Sequence, residues 1–121
     1  MRFLSIPIVL LWASIAVAQP TVISVDYQTA RLTWDWTQGT GGAVTEFWVS
    51  CGAQPAVYTV TKAIANPAAR TVLIRDVVTV EGEYYCAVFA HNAAGNSPPS
   101  NEVHFTAVRA PDAPTNLRVE G

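Results

Sequence analysis

YYCAVFAHNAAGNSPPS, residues 84–100, is the stretch that decides the fold class of this chain. In its first half Tyr84, Cys86, Val88 and Ala90 occupy alternate positions, and on a β-strand such residues share one buried face. The second half is a cluster of turn-forming residues that neither a helix nor a central strand tolerates. The stretch therefore predicts a half-buried strand that ends in an exposed loop.

Six other short segments are rich in β-branched and aromatic residues, and loops containing Gly, Pro and Asn separate them. These segments span residues 21–27, 30–36, 44–51, 57–61, 72–78 and 102–107. None of them has a helical period. Seven short strands spaced by roughly a dozen residues predict an all-β fold in which two sheets pack face to face.

The alternation of apolar and polar residues also predicts which side chains point into the core. The residues expected to face inward are Val44, Phe47, Val49 and Cys51 on the third segment and Val103 and Phe105 on the last, whereas Glu46, Trp48 and Ser50 are expected to face outward.

Residues 1–18 have the pattern of a secretory signal peptide. Arg2 supplies the positive charge, residues 3–17 are uncharged and mostly apolar, and Ala16-Val17-Ala18 is a typical cleavage signature. A membrane anchor is the alternative, but an apolar run of roughly 15 residues is short of the ~20 that a spanning helix needs. The pattern therefore predicts a mature protein that begins at Gln19 and is secreted to an extracellular or periplasmic space.

The charge distribution and the motifs argue against several classes of function. The formal net charge is −2 and like charges form no block, so neither a nucleic acid nor an anionic membrane surface is an expected partner. His91 and His104 are the only histidines, and both are expected to face solvent. No phosphate-binding, zinc-protease or calcium-loop motif occurs. We therefore expect a protein that is not an enzyme and has no metal or other cofactor.

The chain contains two cysteines, Cys51 and Cys86. An even number of cysteines in an exported protein favours a disulfide bond. Two buried free thiols, or half of a metal site, are the alternatives.

Three motifs resemble the strands of the fibronectin type III family. Residues 84–100 resemble its sixth strand and the loop that follows, and Leu32-Thr33-Trp34 is similar to the Leu-x-Trp of its second strand. Residues 44–51 resemble the third strand, with Phe47 and Cys51 in place of tyrosines. Residues 78–84 depart from the family pattern because they lack its proline.

The resemblance implies a seven-stranded fibronectin type III (immunoglobulin-like) β-sandwich over residues 19–108. In such a domain Trp34 would be the core tryptophan, and the hydroxyl of Tyr84 would donate a hydrogen bond to a nearby backbone group. The third and sixth strands would be antiparallel neighbours. Cys51 would then lie beside Cys86, and the two would form a disulfide within one sheet.

The implied function is that of a non-enzymatic binding, adhesion or spacer module. Tyr85, Phe89 and His91 are expected on the outward face of the sixth strand, next to Trp48 on the third. Such a patch can bind a protein or carbohydrate partner, or it can consist of residues that merely favour strands. The loops at residues 38–42 and 92–100 form a second candidate surface.

Residues 109–121 form a tail that resembles the start of a further fibronectin type III domain. The tail carries Leu117 and Val119 at the period of a strand. It can be a remnant of a tandem array or a disordered tail. Alternatively it adds as a strand to the abbreviated first edge of a neighbouring subunit, and the protein is then a structural subunit that assembles head to tail.

Overall fold

Eight β-strands and one 3₁₀ turn make up the regular structure of residues 22–121, the part of the chain that the computed structural model describes. The strands are β1 (Ile23–Asp26), β2 (Arg31–Thr33), β3 (Glu46–Gly52), β4 (Val60–Ile64), β5 (Thr71–Leu73), β6 (Gly82–Asn92), β7 (Gly95–Asn96) and β8 (Val103–Val108), and the turn is Ile74–Asp76. The predicted signal peptide, residues 1–18, lies outside the described residues. Within them, no helix has the length and hydropathy needed to cross a membrane.

The strands form two sheets of very different width. The larger sheet has the order β1-β8-β6-β3-β4, with β7 paired to the end of β6, and the smaller sheet contains only β2 and β5. The pairs from β8 to β4 are antiparallel, whereas β1 runs parallel to β8 with Ile23 opposite Phe105. The predicted all-β, two-sheet arrangement is thus confirmed.

The core lies between the sheets and follows from the alternation of the long strands. Phe47, Val49 and Cys51 of β3 are at most 1% exposed, and so is Cys86 of β6. The smaller sheet and the 3₁₀ turn contribute Val72 and Ile74, while Phe105 and Ala107 come from β8 and Tyr27 from the turn after β1. Burial of each large apolar side chain in this layer contributes about 1.5–3 kcal/mol.

The disulfide that the cysteine count favoured is present and joins Cys51 to Cys86. The two residues are directly opposite each other on β3 and β6, and their Cα atoms are 4.1 Å apart. The bond therefore links neighbouring strands of one sheet and does not bridge the two sheets.

The fourth strand begins later than predicted. Residues 57–61 were expected to be extended, but Ala56 adopts a left-handed backbone conformation with φ 61° and the amide of Val57 donates to the carbonyl of Gln54 at 3.2 Å. This tight turn delays β4 until Val60. The two-residue strand β7, which pairs with the end of β6, lies within a stretch that was expected to be entirely loop.

At two positions the predicted face is correct, but the burial of the side chain is not what that face suggests. Val103 does lie on the inner face, but it is 40% exposed because the two-stranded sheet does not extend far enough to cover it. Ser50 lies on the outer face and is nevertheless only 5% exposed. Its hydroxyl is hydrogen-bonded to that of Thr61 at 2.8 Å, so the buried oxygen is satisfied.

Candidate functional site

The outer face of the larger sheet carries most of the half-buried aromatic side chains. Since Cys51 and Cys86 point into the core, the alternate residues of β3 and β6 point away from it. Trp48 is directly opposite Phe89, and Tyr85 is directly opposite His104. We call the following set the aromatic face: Trp48, Tyr58, Tyr85, Phe89, His91 and His104.

At one end of the aromatic face, Trp48 and His91 form a stacked pair. Their ring centroids are 4.3 Å apart and the ring planes differ by 16°. The indole N–H of Trp48 donates to Oε1 of Glu46 at 2.7 Å, and Nε2 of His91 lies 3.7 Å from the same oxygen. Nδ1 of His91 is 2.6 Å from Oδ1 of Asn96 on β7. Both rings are therefore held in place by polar partners at their edges.

At the other end, Tyr85 and His104 form a second stacked pair, with centroids 4.0 Å apart and planes that differ by 14°. Nε2 of His104 is hydrogen-bonded to Oε1 of Glu83. Each end of the face thus combines a carboxylate, an imidazole and a larger aromatic ring. Such an arrangement restricts the motion of the rings.

Between the two stacked pairs, Tyr58 packs against Phe89 in an edge-to-face contact, with centroids 6.2 Å apart and planes 77° apart. The Tyr58 hydroxyl donates to Oε2 of Glu102, which also accepts from the amide of Ala56 at 2.8 Å. Burial, then the hydrogen bond to Glu102 and the charge of that carboxylate, raise the pKa of Tyr58 to about 12. This shift extends the pH range over which the phenol stays protonated and donates to Glu102.

Sequence reasoning missed Tyr58 as a member of this face. The residue precedes β4, and the turn at Ala56 determines where its side chain points. No periodicity in residues 53–59 signals this contact. The four residues that the sequence did predict for the surface, Trp48, Tyr85, Phe89 and His91, all lie on the outer side of the larger sheet and are half-buried.

The loop surface adjoins the aromatic face at His91. Residues 36–44 and 90–97 line an open cleft with a volume of about 350 Å³. The Gln38 side chain donates to the carbonyl of Gly41 at 2.8 Å, and the Asn92 side chain donates to that of Ala43 at 2.9 Å. The first bond closes the loop at residues 38–42 on itself, and the second ties that segment to the end of β6. Among residues 22–121, no three His, Cys, Asp or Glu side chains are grouped so that they could hold a metal ion.

Trp34 lies just after β2 and is partly buried against the core. Its ring centroid is 5.5 Å from that of Phe47, and the guanidinium of Arg70 lies 5.2 Å from the same Phe47 ring. The Trp34 indole nitrogen is buried and has no hydrogen-bond partner within residues 22–121. The rings of Trp34 and Phe47 and the guanidinium of Arg70 therefore cover this end of the core.

Tyr84 is on the inner side of β6, and its ring lies 6.1 Å from that of Phe105. Its hydroxyl donates to the carbonyl of Val80 at 2.7 Å, four residues earlier in the chain. Burial, together with the nearby Tyr27, raises the pKa of the Tyr84 phenol and so extends the pH range over which it donates. The bond fixes the bend of the chain that leads into β6.

We expect Tyr84→Phe to lower the free energy of unfolding by about 1 kcal/mol, because the variant loses one hydrogen bond and keeps the ring. Urea unfolding followed by fluorescence measures the change. Tyr85→Phe is the matched control, since the hydroxyl of Tyr85 makes no hydrogen bond within residues 22–121, and its effect should be near zero. Equal midpoints for both variants and the parent protein would contradict the role given to the Tyr84 hydroxyl.

The two tail residues with the spacing of a strand, Leu117 and Val119, are 100% and 96% exposed. They touch neither sheet and belong to no strand.

Comparison with known proteins identified no relative of this chain. No protein-family model matches the chain, and no similar protein was found among curated proteins or solved structures. The function is therefore proposed from the geometry of the chain itself.

Proposed function

We propose that this protein is a secreted, non-enzymatic binding or adhesion module of the fibronectin type III kind, and that the aromatic face is its contact surface for a protein or carbohydrate partner. The observation that carries the proposal is the pair of stacked clusters at the two ends of the face. Rings that serve only as strand formers do not need carboxylates and an amide to orient them. Here Glu46, Glu83 and Asn96 hold the two imidazoles against Trp48 and Tyr85.

The assignment to the fibronectin type III kind has three supports. The strands β8, β6, β3 and β4 are consecutive antiparallel neighbours in one sheet. The hydroxyl of Tyr84 donates to a carbonyl four residues earlier, as the family's corner tyrosine is expected to do. Trp34 packs against the core from the second strand's end. The disulfide and the pattern of residues 1–18 support export, because such bonds persist mainly in oxidising compartments.

The chemistry of the face suits a partner with both apolar and polar groups. Its centre is apolar, since Phe89 and Tyr58 meet there. Its ends carry imidazole nitrogens and carboxylate oxygens beside flat rings, which is the combination that contacts sugar rings or the aromatic and cationic side chains of proteins. Rigid aromatic anchors of this type contribute most of the binding energy in many interfaces.

We expect Trp48→Ala to weaken binding to the partner by roughly 30-fold or more, because a large, rigid aromatic anchor typically contributes about 2 kcal/mol. An oligosaccharide array and an array of extracellular protein domains, both probed with the oxidised protein, identify the partner class. Titration of the best ligand then gives the dissociation constants of parent and variant.

Val80→Ala is the control for this experiment, because Val80 is an apolar residue that is 65% exposed and lies outside the aromatic face. Its binding should equal that of the parent. If a ligand binds the two variants equally well, the aromatic face is not the contact surface.

A further inference from the structure

The two sheets do not match in width, and apolar side chains are left uncovered as a result. Residues paired with the core cysteines share the inner face, so Val103 on β8 and Val60 on β4 point toward the smaller sheet. Ile23 of β1 is opposite Phe105 and points the same way. Yet Ile23 is 59% exposed and Val103 and Val60 are each 40% exposed. The two strands of the smaller sheet cover only the middle of the larger sheet, and both flanks of the larger sheet remain open.

The smaller sheet also has an unpaired edge at β2. The amide of Ile74 donates to the carbonyl of Ala30 at 3.0 Å, and the amide of Trp34 donates to that of Arg70 at 2.9 Å. Leu32, midway between these two positions and opposite Val72, therefore also directs its backbone groups toward β5. The N–H and C=O groups of Arg31 and Thr33 point the other way, where no strand of residues 22–121 lies.

This unpaired edge lies on the same flank as Ile23 and Val103. Only a tight turn separates β1 from β2, since the amide of Ala30 donates to the carbonyl of Asp26 at 2.9 Å. β2 therefore starts next to the end of β1, on the β1–β8 side of the molecule. One added strand there would pair with β2 and cover apolar surface on the opposite sheet.

The sequence of the tail has the features of such a strand, and on pairing Asn116 would leave the left-handed conformation (φ 58°) that it has in the free tail. All residues from 109 to 121 are exposed, and Leu117 and Val119 alternate so that one extended strand would place both on one face. Pro111 and Pro114 favour an extended backbone in the residues before them. The tail thus carries apolar residues that can cover the exposed apolar residues of the open flank.

We propose that residues 115–119 of one copy add as a strand to the β2 edge of a second copy, with Leu117 and Val119 over the uncovered inner flank. The β2 edge of the same copy is a poor acceptor for the tail. The tail leaves β8 at Val108, opposite Asp26, where β2 is about to begin. To pair with its own β2 it would have to cross to the other sheet and reverse direction within residues 109–114, and it would then run parallel to β2, which is the less favourable geometry.

The tail of a second copy has no such restriction and can pair antiparallel, which is the more favourable geometry. Since donor and acceptor are different surfaces, each subunit can use both at once. Repetition then gives an open chain of subunits unless the geometry happens to close a ring.

Two variants of the oxidised full chain separate the donor from the acceptor. Leu117→Ser with Val119→Ser disables the donor. Thr33→Pro disables the acceptor, because Thr33 directs its N–H to the open edge and proline is tolerated on such edges. The control is Asn116→Ser with Glu120→Ser, which alters the opposite face of the same strand. Circular dichroism melting establishes that each variant is folded.

Sedimentation velocity over a range of concentrations gives the readout. We expect the parent protein and the control to form dimers and longer species, and each disabled variant to be monomeric. An equimolar mixture of the two disabled variants should form dimers that grow no further, because one intact donor meets one intact acceptor. A parent protein that remains monomeric at its highest soluble concentration would overturn the proposal, as would association that survives in the donor variant or a mixture that does not dimerise.

Discussion

Replacing Cys51 and Cys86 together by alanine should lower the free energy of unfolding by about 3 to 4 kcal/mol in the chain-entropy description of disulfides. The bond joins residues 35 positions apart, so its removal releases a long loop in the unfolded chain. Both residues are at most 1% exposed, and the missing sulfur atoms add a packing loss to the entropic one. Since domains of this size have about 5–15 kcal/mol of stability in total, the loss is a large share of it.

Urea unfolding of the oxidised parent protein, the parent in reductant and the double variant measures this effect. We expect the reduced parent to unfold at lower urea than the oxidised one, with the double variant at or below the reduced parent. Identical midpoints for oxidised and reduced protein would show that the bond contributes nothing to folding stability.

Gly52→Ala should be severely destabilising, by about 3 kcal/mol or more, because it overpacks a place where two backbone segments meet. A Cβ atom at Gly52 would lie 1.9 Å from the carbonyl oxygen of Val57. That oxygen cannot simply move away, since the amides of Val57 and Thr59 are hydrogen-bonded to Gln54 and Cys51. The clash would displace the segment that carries Tyr58 onto the aromatic face.

Gly39→Ala is the matched control, because a Cβ atom at Gly39 would meet no atom within 4 Å. Its stability should stay within about 0.5 kcal/mol of that of the parent. Urea unfolding provides both values, and the chemical shifts of the Tyr58 and Phe89 ring protons report whether their contact survives. A Gly52→Ala protein as stable as the Gly39→Ala protein would mean that the segment after β3 can shift to accommodate the added Cβ atom.

The sequence determined the long strands and the residues at their centres. Alternation along β3 and β6 predicted that Phe47, Val49 and Cys51 face the core, and the Asn-, Gly- and Pro-rich cluster after β6 predicted the end of that strand. These features can be predicted because they depend on one strand at a time. A period of two and a turn-forming cluster are local properties of the chain.

The pairing of β1 with β8, the width of the smaller sheet and the position of Tyr58 were decided by the tertiary structure alone. Residues 82 positions apart meet where Ile23 lies opposite Phe105, and nothing in either segment specifies the other as its partner. Alternation assigned Val103 to the inner face correctly but could not reveal that no strand lies over it. Ser50 lies on the face that alternation predicts to be exposed, yet it is buried. A strand's sequence determines which side chains share a face, whereas the strands and loops that pack on that face determine whether water still reaches it.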